Sequence, residues 1–415
     1  MRKFFKGLLS FLLVIILVLS LASCGEKETK VKKTEVKDTE VKETELEETE
    51  VEKTEAEETE LEETEVEETE AIDAEKKSIT IVDLIGREVE LELPLERVII
   101  SHWESLEAYS APVGEKIFDS VVGIGESGGM ERYQNVYAEH FPHLADLPSI
   151  GTVGSYDIEK ILSLEPDAFL INFGEGFIEG FPEVVNTLDE AGIPMVFLPL
   201  SDDPFTSPQK AAKILGEIYQ TNERADELIQ YLDEKFALID ERVPEDGEKP
   251  KVYHEAGSGS RDEYSMSFTD SGWGLIMAFA GGDNISVNNV NDKGRIDPEY
   301  LLESDPDFIF ITSGMGYGPA EASMESINNS VGEYVLRTGW DRLKAVQNKN
   351  VYSYYHNHQR SPLVFYYTMD MAKMFYPEEF SDINPEDELK EFFDKFLYPD
   401  YEDGFWKYKL GEELE

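Results

Sequence analysis

The feature that most restricts the fold is a passage that occurs twice. Tyr156-Asp-Ile-Glu-Lys-Ile-Leu-Ser-Leu-Glu-Pro-Asp-Ala-Phe-Leu-Ile returns in the second half of the chain as Ile296-Asp-Pro-Glu-Tyr-Leu-Leu-Glu-Ser-Asp-Pro-Asp-Phe-Ile-Phe-Ile. In each copy a short helical stretch ends at Pro-Asp, because the residue before a proline is pushed out of helical geometry. An apolar run of strand length follows it. Two copies of one helix-turn-strand unit imply two equivalent lobes. Glu159 and Glu299 then stand at equivalent places, one carboxylate per lobe, each eight residues ahead of Asp167 or Asp307.

The flanking sequence extends both lobes. Ser78–Asp83 and Arg87–Leu93 alternate apolar and polar residues across Leu84-Ile-Gly-Arg, an antiparallel hairpin pattern. The runs at Arg97, Ser120, Asp167 and Pro194 have the length of buried parallel strands, and helical segments lie between them. A helix is predicted from about Ser207 to Val243, rich in Ala, Leu, Glu, Lys and Ile, ending at the breaker cluster Pro244-Glu-Asp-Gly-Glu-Lys-Pro. The strand rhythm then resumes at Lys251, Asp307 and Asn350. The fold class read from this is α/β, with two Rossmann-like lobes joined by one long backbone helix and a ligand cleft between them. The lobes are placed at 78–206 and 245–380, the helix at 207–244, and an acidic, aromatic extension at 381–415, read as a helix plus tail packed on a lobe.

The chain starts differently. Arg2, Lys3 and Lys6 precede an apolar run from Leu8 to Leu21, too short to span a bilayer comfortably, and Leu21-Ala-Ser-Cys24 follows. This resembles the lipobox of prokaryotic lipoproteins, which implies cleavage before Cys24 and lipid attachment to its thiol; the alternative is an uncleaved anchor helix. Cys24 is the only cysteine, so no disulfide can form within the chain. From Thr34 to Glu70 a five-residue Thr-Glu unit repeats, with a period that matches neither strand nor helix and builds no apolar face. Residues 25–77 therefore read as a solvated tether, or as a transient single helix in the same role.

Lys+Arg total 37 against 88 Asp+Glu, a net charge of −51, and most of that charge falls after Ser78. Such a field argues against nucleic acid and anionic lipid as partners and favours basic surfaces or cationic ligands. Plain solubility, or adaptation to salt, explains it equally well. Gly123-Ile-Gly-Glu-Ser-Gly128 spells a dinucleotide fingerprint after a strand, but no ribose-binding acid follows, so these glycines are read as letting a loop approach the cleft.

Asp83-Leu-Ile-Gly-Arg-Glu-Val, Arg97-Val-Ile, Val122-Gly, Ile150-Gly, the Glu-x-Ile-Leu-x-Leu-x-Pro-Asp unit, Gly192-Ile-Pro-Met, Ala280-Gly-Gly-Asp-Asn-Ile, Trp340-Asp-Arg-Leu-x-Ala-Val and Ala372-Lys-Met-Phe-Tyr-Pro-Glu-Glu-Phe occur in that order. Together they resemble the solute-binding lipoproteins of iron-siderophore, haem and cobalamin ABC importers. The resemblance implies a monomeric binder with no intrinsic cofactor. It would face outside the cytoplasm on a lipid anchor, capture a metal chelate and deliver it to a membrane permease. It also implies that Glu159 and Glu299 meet permease arginines; as acids near helix N-termini they equally suit the helix dipole.

Ligands of such lobes bind at the carboxyl ends of parallel strands. The candidate contacts there are His102, Trp103, Met130, Arg132, Tyr133 and Phe173 in one lobe. The other lobe offers Arg261, Tyr264, Trp273, Met315, Tyr317, His356, His358 and Arg360. Aromatics bury flat ligand surface, arginines pair with carboxylates, and histidines ligate metal. On extended backbone His356 and His358 share a face and can converge with His102 on one metal ion. No sequence motif for catalysis is present. A bare metal or oxyanion such as molybdate or tungstate is the alternative ligand, and a secreted metal-dependent hydrolase is the alternative function.

Overall fold

A computed structural model of the chain describes residues 76–127 and 130–411, without the side chain of Met130. The signal segment, Cys24 and nearly all of the 25–77 tether lie outside the described residues. The hairpin forms as expected, with Lys77–Val82 antiparallel to Glu88–Leu93. A six-stranded sheet follows, in the order Ser155–Tyr156, Ser149–Thr152, Val121–Glu126, Val98–Ile100, Ala168–Ile171 and Met195–Phe197. Only its short Ser155–Tyr156 edge is antiparallel. The second lobe has five strands, ordered Asp283–Asn284, Lys251–Ala256, Phe308–Ser313, Val351–Tyr355 and Lys407–Lys409, the last antiparallel.

The repeated passage folds the same way twice. Asp157 and Asp297 cap the helices Ile158–Ser163 and Pro298–Ser304 through backbone N–H groups of their first turns. The residues before the two prolines, Glu165 and Asp305, both take positive φ, at 44° and 47°. Asp167 then accepts from the N–H of Arg97 (2.8 Å), and Asp307 from the N–H of Lys251 (2.9 Å). Each aspartate thereby ties the start of a neighbouring parallel strand. Glu159 and Glu299 are exposed at the second position of their helices.

Three expectations need correction. The stretch from Ser207 to Val243 is two helices, Ser207–Tyr219 and Asn222–Arg242, because Gln220 takes a left-handed φ of 56°. The second alone, packed against the helix Trp103–Val113, leads into the second lobe. Gly123 and Gly125 are strand residues, not part of a loop over the cleft: a Cβ on Gly125 would lie 1.8 Å from the Ser101 carbonyl oxygen, so glycine there permits close strand packing. The extension reaches beyond one lobe. Its helix Pro385–Phe396 lies on the backbone helix, where Tyr231 donates to the Glu388 carbonyl (3.0 Å) and Lys235 pairs with the Glu388 carboxylate. Arg224 bonds the Ala111 and Phe396 carbonyls together (2.8 and 2.9 Å), and Tyr398 rests edge-on against Phe118 and Phe141 of the first lobe. The tail then completes the second sheet.

Candidate functional site

The seam between the lobes is built on the helix Trp103–Val113, all of whose residues are buried. Its two acids, Glu104 and Glu107, are three positions apart and so share a face. Glu104 accepts from the Tyr355 hydroxyl (2.7 Å) and the Asn357 amide (2.5 Å) across the seam, and from Ser127 (2.7 Å) within its own lobe. Burial would push its carboxyl up, but His102 and the Ser127 and Tyr355 hydroxyls hold it below the ordinary value. Glu107 accepts from Tyr137 (3.2 Å) and lies 3.4 Å from His358 Nε2. Arg132 donates to the Gly314 carbonyl (2.6 Å), and Asn172 to that of Arg360 (3.1 Å). Polar atoms of the two lobes thus meet directly.

A cavity of about 560 Å³ opens beside this seam. Arg132 enters it from the first lobe. The second lobe contributes the strand ends Ala256-Gly257-Ser258 and Thr312-Ser313-Gly314, together with Ser326, Tyr355, His356 and Asn357. A smaller cavity of about 320 Å³, near Pro94, Ser120 and Tyr219, lies at the amino ends of the first-lobe strands and holds no candidate residue.

The candidate residues divide into groups. Arg132 and His356 line the cavity. Arg360 lies over the Phe173 ring (5.1 Å), whose edge contact is His102, and its charge is felt by both His102 and His356. Burial lowers the Arg360 guanidinium, an effect Glu104 opposes, and Arg360 makes no ion pair among the described residues. Arg132 Nη1 is likewise a buried donor without a partner.

The expectation that aromatic side chains face the ligand is not met at most positions. Trp103, Tyr133, Trp273, Met315 and Tyr317 are each no more than 1 % exposed. Tyr133 and Tyr317 pack edge to face beneath the seam, and Trp273 stacks on Tyr354 while donating to the His356 carbonyl. Tyr264 belongs to a separate cage in which the buried Arg337–Glu255 pair (2.6 Å) lies between the Tyr264 and Tyr334 rings. Arg261 is exposed and pairs with no described residue. Met130 opens the helix Met130–His140.

The three-histidine metal centre does not form: among the described residues no group of three or more His, Cys, Asp or Glu could hold an ion. Residues 356–360 make a 3₁₀ turn, so His356 and His358 do not share the face that extended backbone would give them. His102 Nδ1 caps the Trp103 helix by accepting from the Ser105 N–H (3.2 Å). His358 is wedged between the Tyr367 hydroxyl (2.6 Å at Nδ1) and Glu107, with Trp406 of the extension stacked on its ring. Burial drives His102 and His356 each down to about 4, keeping both neutral near pH 7; Glu104 opposes this and Arg360 reinforces it.

Sequence reasoning missed Glu104, Glu107, Thr312 and Asn357. The signal for the first two was present, since Trp103-Glu-Ser-Leu-Glu follows a buried strand directly, and acids in so apolar a setting need partners.

Residues 101–357, more than half of the chain, match the family described as periplasmic binding protein. The TroA-like periplasmic binding protein FepB from Veillonella parvula is 30 % identical, with 80 % of this chain and 100 % of that one covered at a TM-score of 0.69. The molybdate-binding protein MolA of Haemophilus influenzae is 20 % identical over 346 residues, 77 % of this chain and 91 % of MolA. CeuE of Helicobacter pylori, solved as a Ni-His complex, shares the fold at 16 % identity and a TM-score of 0.57, over 79 % of this chain and 98 % of that one. The two lobes, the cleft lined by strand ends and these likenesses agree: the chain belongs to the periplasmic binding protein family, as a substrate-binding protein of an ABC importer and not an enzyme.

Proposed function

We propose that the protein captures an anionic metal chelate of the siderophore type and passes it to its permease, working as a monomer anchored by lipid on Cys24. In this reading Glu159 and Glu299 are the permease contacts. The observation that carries the ligand class is a pair of arginines, Arg132 in the cavity wall and Arg360 at the seam beside it. In a chain with 88 acids against 37 basic residues, neither Arg132 nor Arg360 forms an ion pair with a described carboxylate, and only the charge of Glu104 is felt by Arg360. Guanidinium groups left unpaired in a partly dry site are matched to carboxylate, catecholate or phosphate oxygens. The volume of about 560 Å³ suits a chelate better than one small ion.

A compact oxyanion such as molybdate is the second reading. The hydroxyl- and glycine-rich lining at Ser258, Thr312, Ser313, Gly314 and Ser326 favours it. The same lining, with Trp103, Tyr133, Trp273 and Tyr317 packed away, offers little flat apolar surface to haem or a corrinoid. Titration with ferric catecholate, hydroxamate and citrate complexes, haem, cobalamin and molybdate, followed by tryptophan fluorescence and native mass, tests both readings. Arg132→Met and Arg360→Met should each weaken the true ligand about ten- to a hundredfold. Tight binding of an uncharged ligand, unchanged in both variants, would overturn the proposal.

A further inference from the structure

His254 is wholly buried on the strand Lys251–Ala256 and is no part of the cavity wall, yet it is connected to His356 through one hydroxyl. The Phe268 backbone N–H donates to His254 Nδ1 (3.4 Å), so that nitrogen carries a lone pair. Burial drives this imidazole well below its ordinary pKa, so it is neutral and its single proton sits on Nε2. Nε2 lies 3.1 Å from Thr312 Oγ1 and donates to it. The Thr312 hydroxyl, 1 % exposed, spends its own proton on His356 Nδ1, 2.7 Å away.

We propose that His254, acting through Thr312, holds His356 as the Nε2–H tautomer, so that this wall of the cleft offers the ligand a hydrogen-bond donor for an anionic oxygen, not a vacant nitrogen for a metal ion. The neighbours of His356 agree with that sense. Gln359 Nε2 lies 3.3 Å from His356 Nε2 while Gln359 Oε1 is buried without a partner. A half-turn of the amide pairs Oε1 with the His356 N–H and removes the orphaned acceptor. Gln359 then occupies the donor until a ligand oxygen replaces it. Arg360, whose charge lowers the basicity of His356, adds a second attraction for the same oxygen. His254 is a positioning residue here, since it touches no ligand and works by fixing a proton on another ring.

The inference rests on the proposed anionic ligand only for its purpose; the tautomer is read without any ligand. Long-range proton–nitrogen NMR of the ¹⁵N-labelled protein, with His356 assigned from His356→Phe, should show an unprotonated Nδ1 and a protonated Nε2. Thr312→Ser, which keeps the hydroxyl, should preserve the pattern. Thr312→Val should shift both resonances towards the mixed-tautomer average. A stoichiometric addition of Zn²⁺ should leave the wild-type His356 nitrogens unshifted. A proton found on Nδ1 in the wild type, a Thr312→Val spectrum identical to it, or zinc-dependent displacement of the His356 signals would each overturn the proposal. Failure here leaves the ligand titration free to succeed, and the reverse holds.

Discussion

Acidification should destabilise the protein through His102 in a measurable and separable way. His102 is 4 % exposed, and burial pulls its pKa from 6.5 to about 4. Between those values the unfolded chain binds a proton that the folded chain refuses, so stability is intact above pH 6.5 and lost as pH falls towards 4. Evaluated between pH 7 and pH 4.5, the loss from this one ring is about 2 kcal/mol. His356 shifts to a similar value but is less enclosed, so its share is smaller. The many carboxylates also titrate in this range, and a single denaturation curve would mix their effect with that of the histidine. His102→Asn separates them, because asparagine keeps an acceptor for the Ser105 N–H at the helix cap and has no proton to take up. Urea unfolding of both proteins at pH 7 and pH 4.5 should show the wild type losing roughly 0.7 M more in midpoint than the variant, at a slope of about 3 kcal/mol per molar. Parallel losses in the two proteins would refute the assignment of His102 as a buried neutral ring.

Arg337→Ala strands the Glu255 carboxylate, which is fully buried, and should cost about 3–5 kcal/mol; Arg337→Met combined with Glu255→Leu should recover most of it, both read by thermal denaturation. The double change of Glu159 and Glu299 to alanine should abolish uptake by cells while ligand affinity stays constant, and normal uptake would reduce these carboxylates to helix-end acids. Cys24→Ser should release the protein from membranes or leave it unprocessed, so unchanged retention at wild-type mass would remove the lipid anchor. Gly125→Ala should destabilise strongly, judged by the urea midpoint, since its methyl would fall on the Ser101 carbonyl.

The lobes were legible because parallel strands buried on both faces leave continuous apolar runs between turn residues. The repeated Pro-Asp passage was legible as a short helix entering a buried strand, but not the bonds by which Asp167 and Asp307 tie the neighbouring strands, because those partners lie 70 and 56 positions away. The break at Gln220 was not: Tyr219-Gln-Thr-Asn contains neither glycine nor proline, and the turn is stabilised by packing of one helix on the other, where Gly216 faces Ala225. The site was half legible. Arg132 and His356 line the cavity and Arg360 lies over Phe173, but residue type cannot say which side of a loop faces inward, and Tyr133, Trp273 and Tyr317 turn into the core. Glu104 and Glu107 escaped notice because their partners, Tyr355 and His358, lie some 250 positions away in the chain.

The strand Lys407–Lys409 has a bearing on how the protein avoids sticking to copies of itself. Without it, Val351-Tyr-Ser-Tyr-Tyr, a five-residue run of high β-propensity, would form the open edge of its sheet and present unpaired N–H and C=O groups to any passing strand. The late segment covers that edge in the antiparallel sense and puts lysines at 407 and 409 on the new border, where charge discourages further pairing. Lys407 is also tied to Asp370 at 2.9 Å, and Asp370 accepts from Tyr354 in the covered strand (2.5 Å), so the cover is locked to the edge it protects. During synthesis and export, the interval before residues 407–409 emerge is when this chain is most exposed to aggregation.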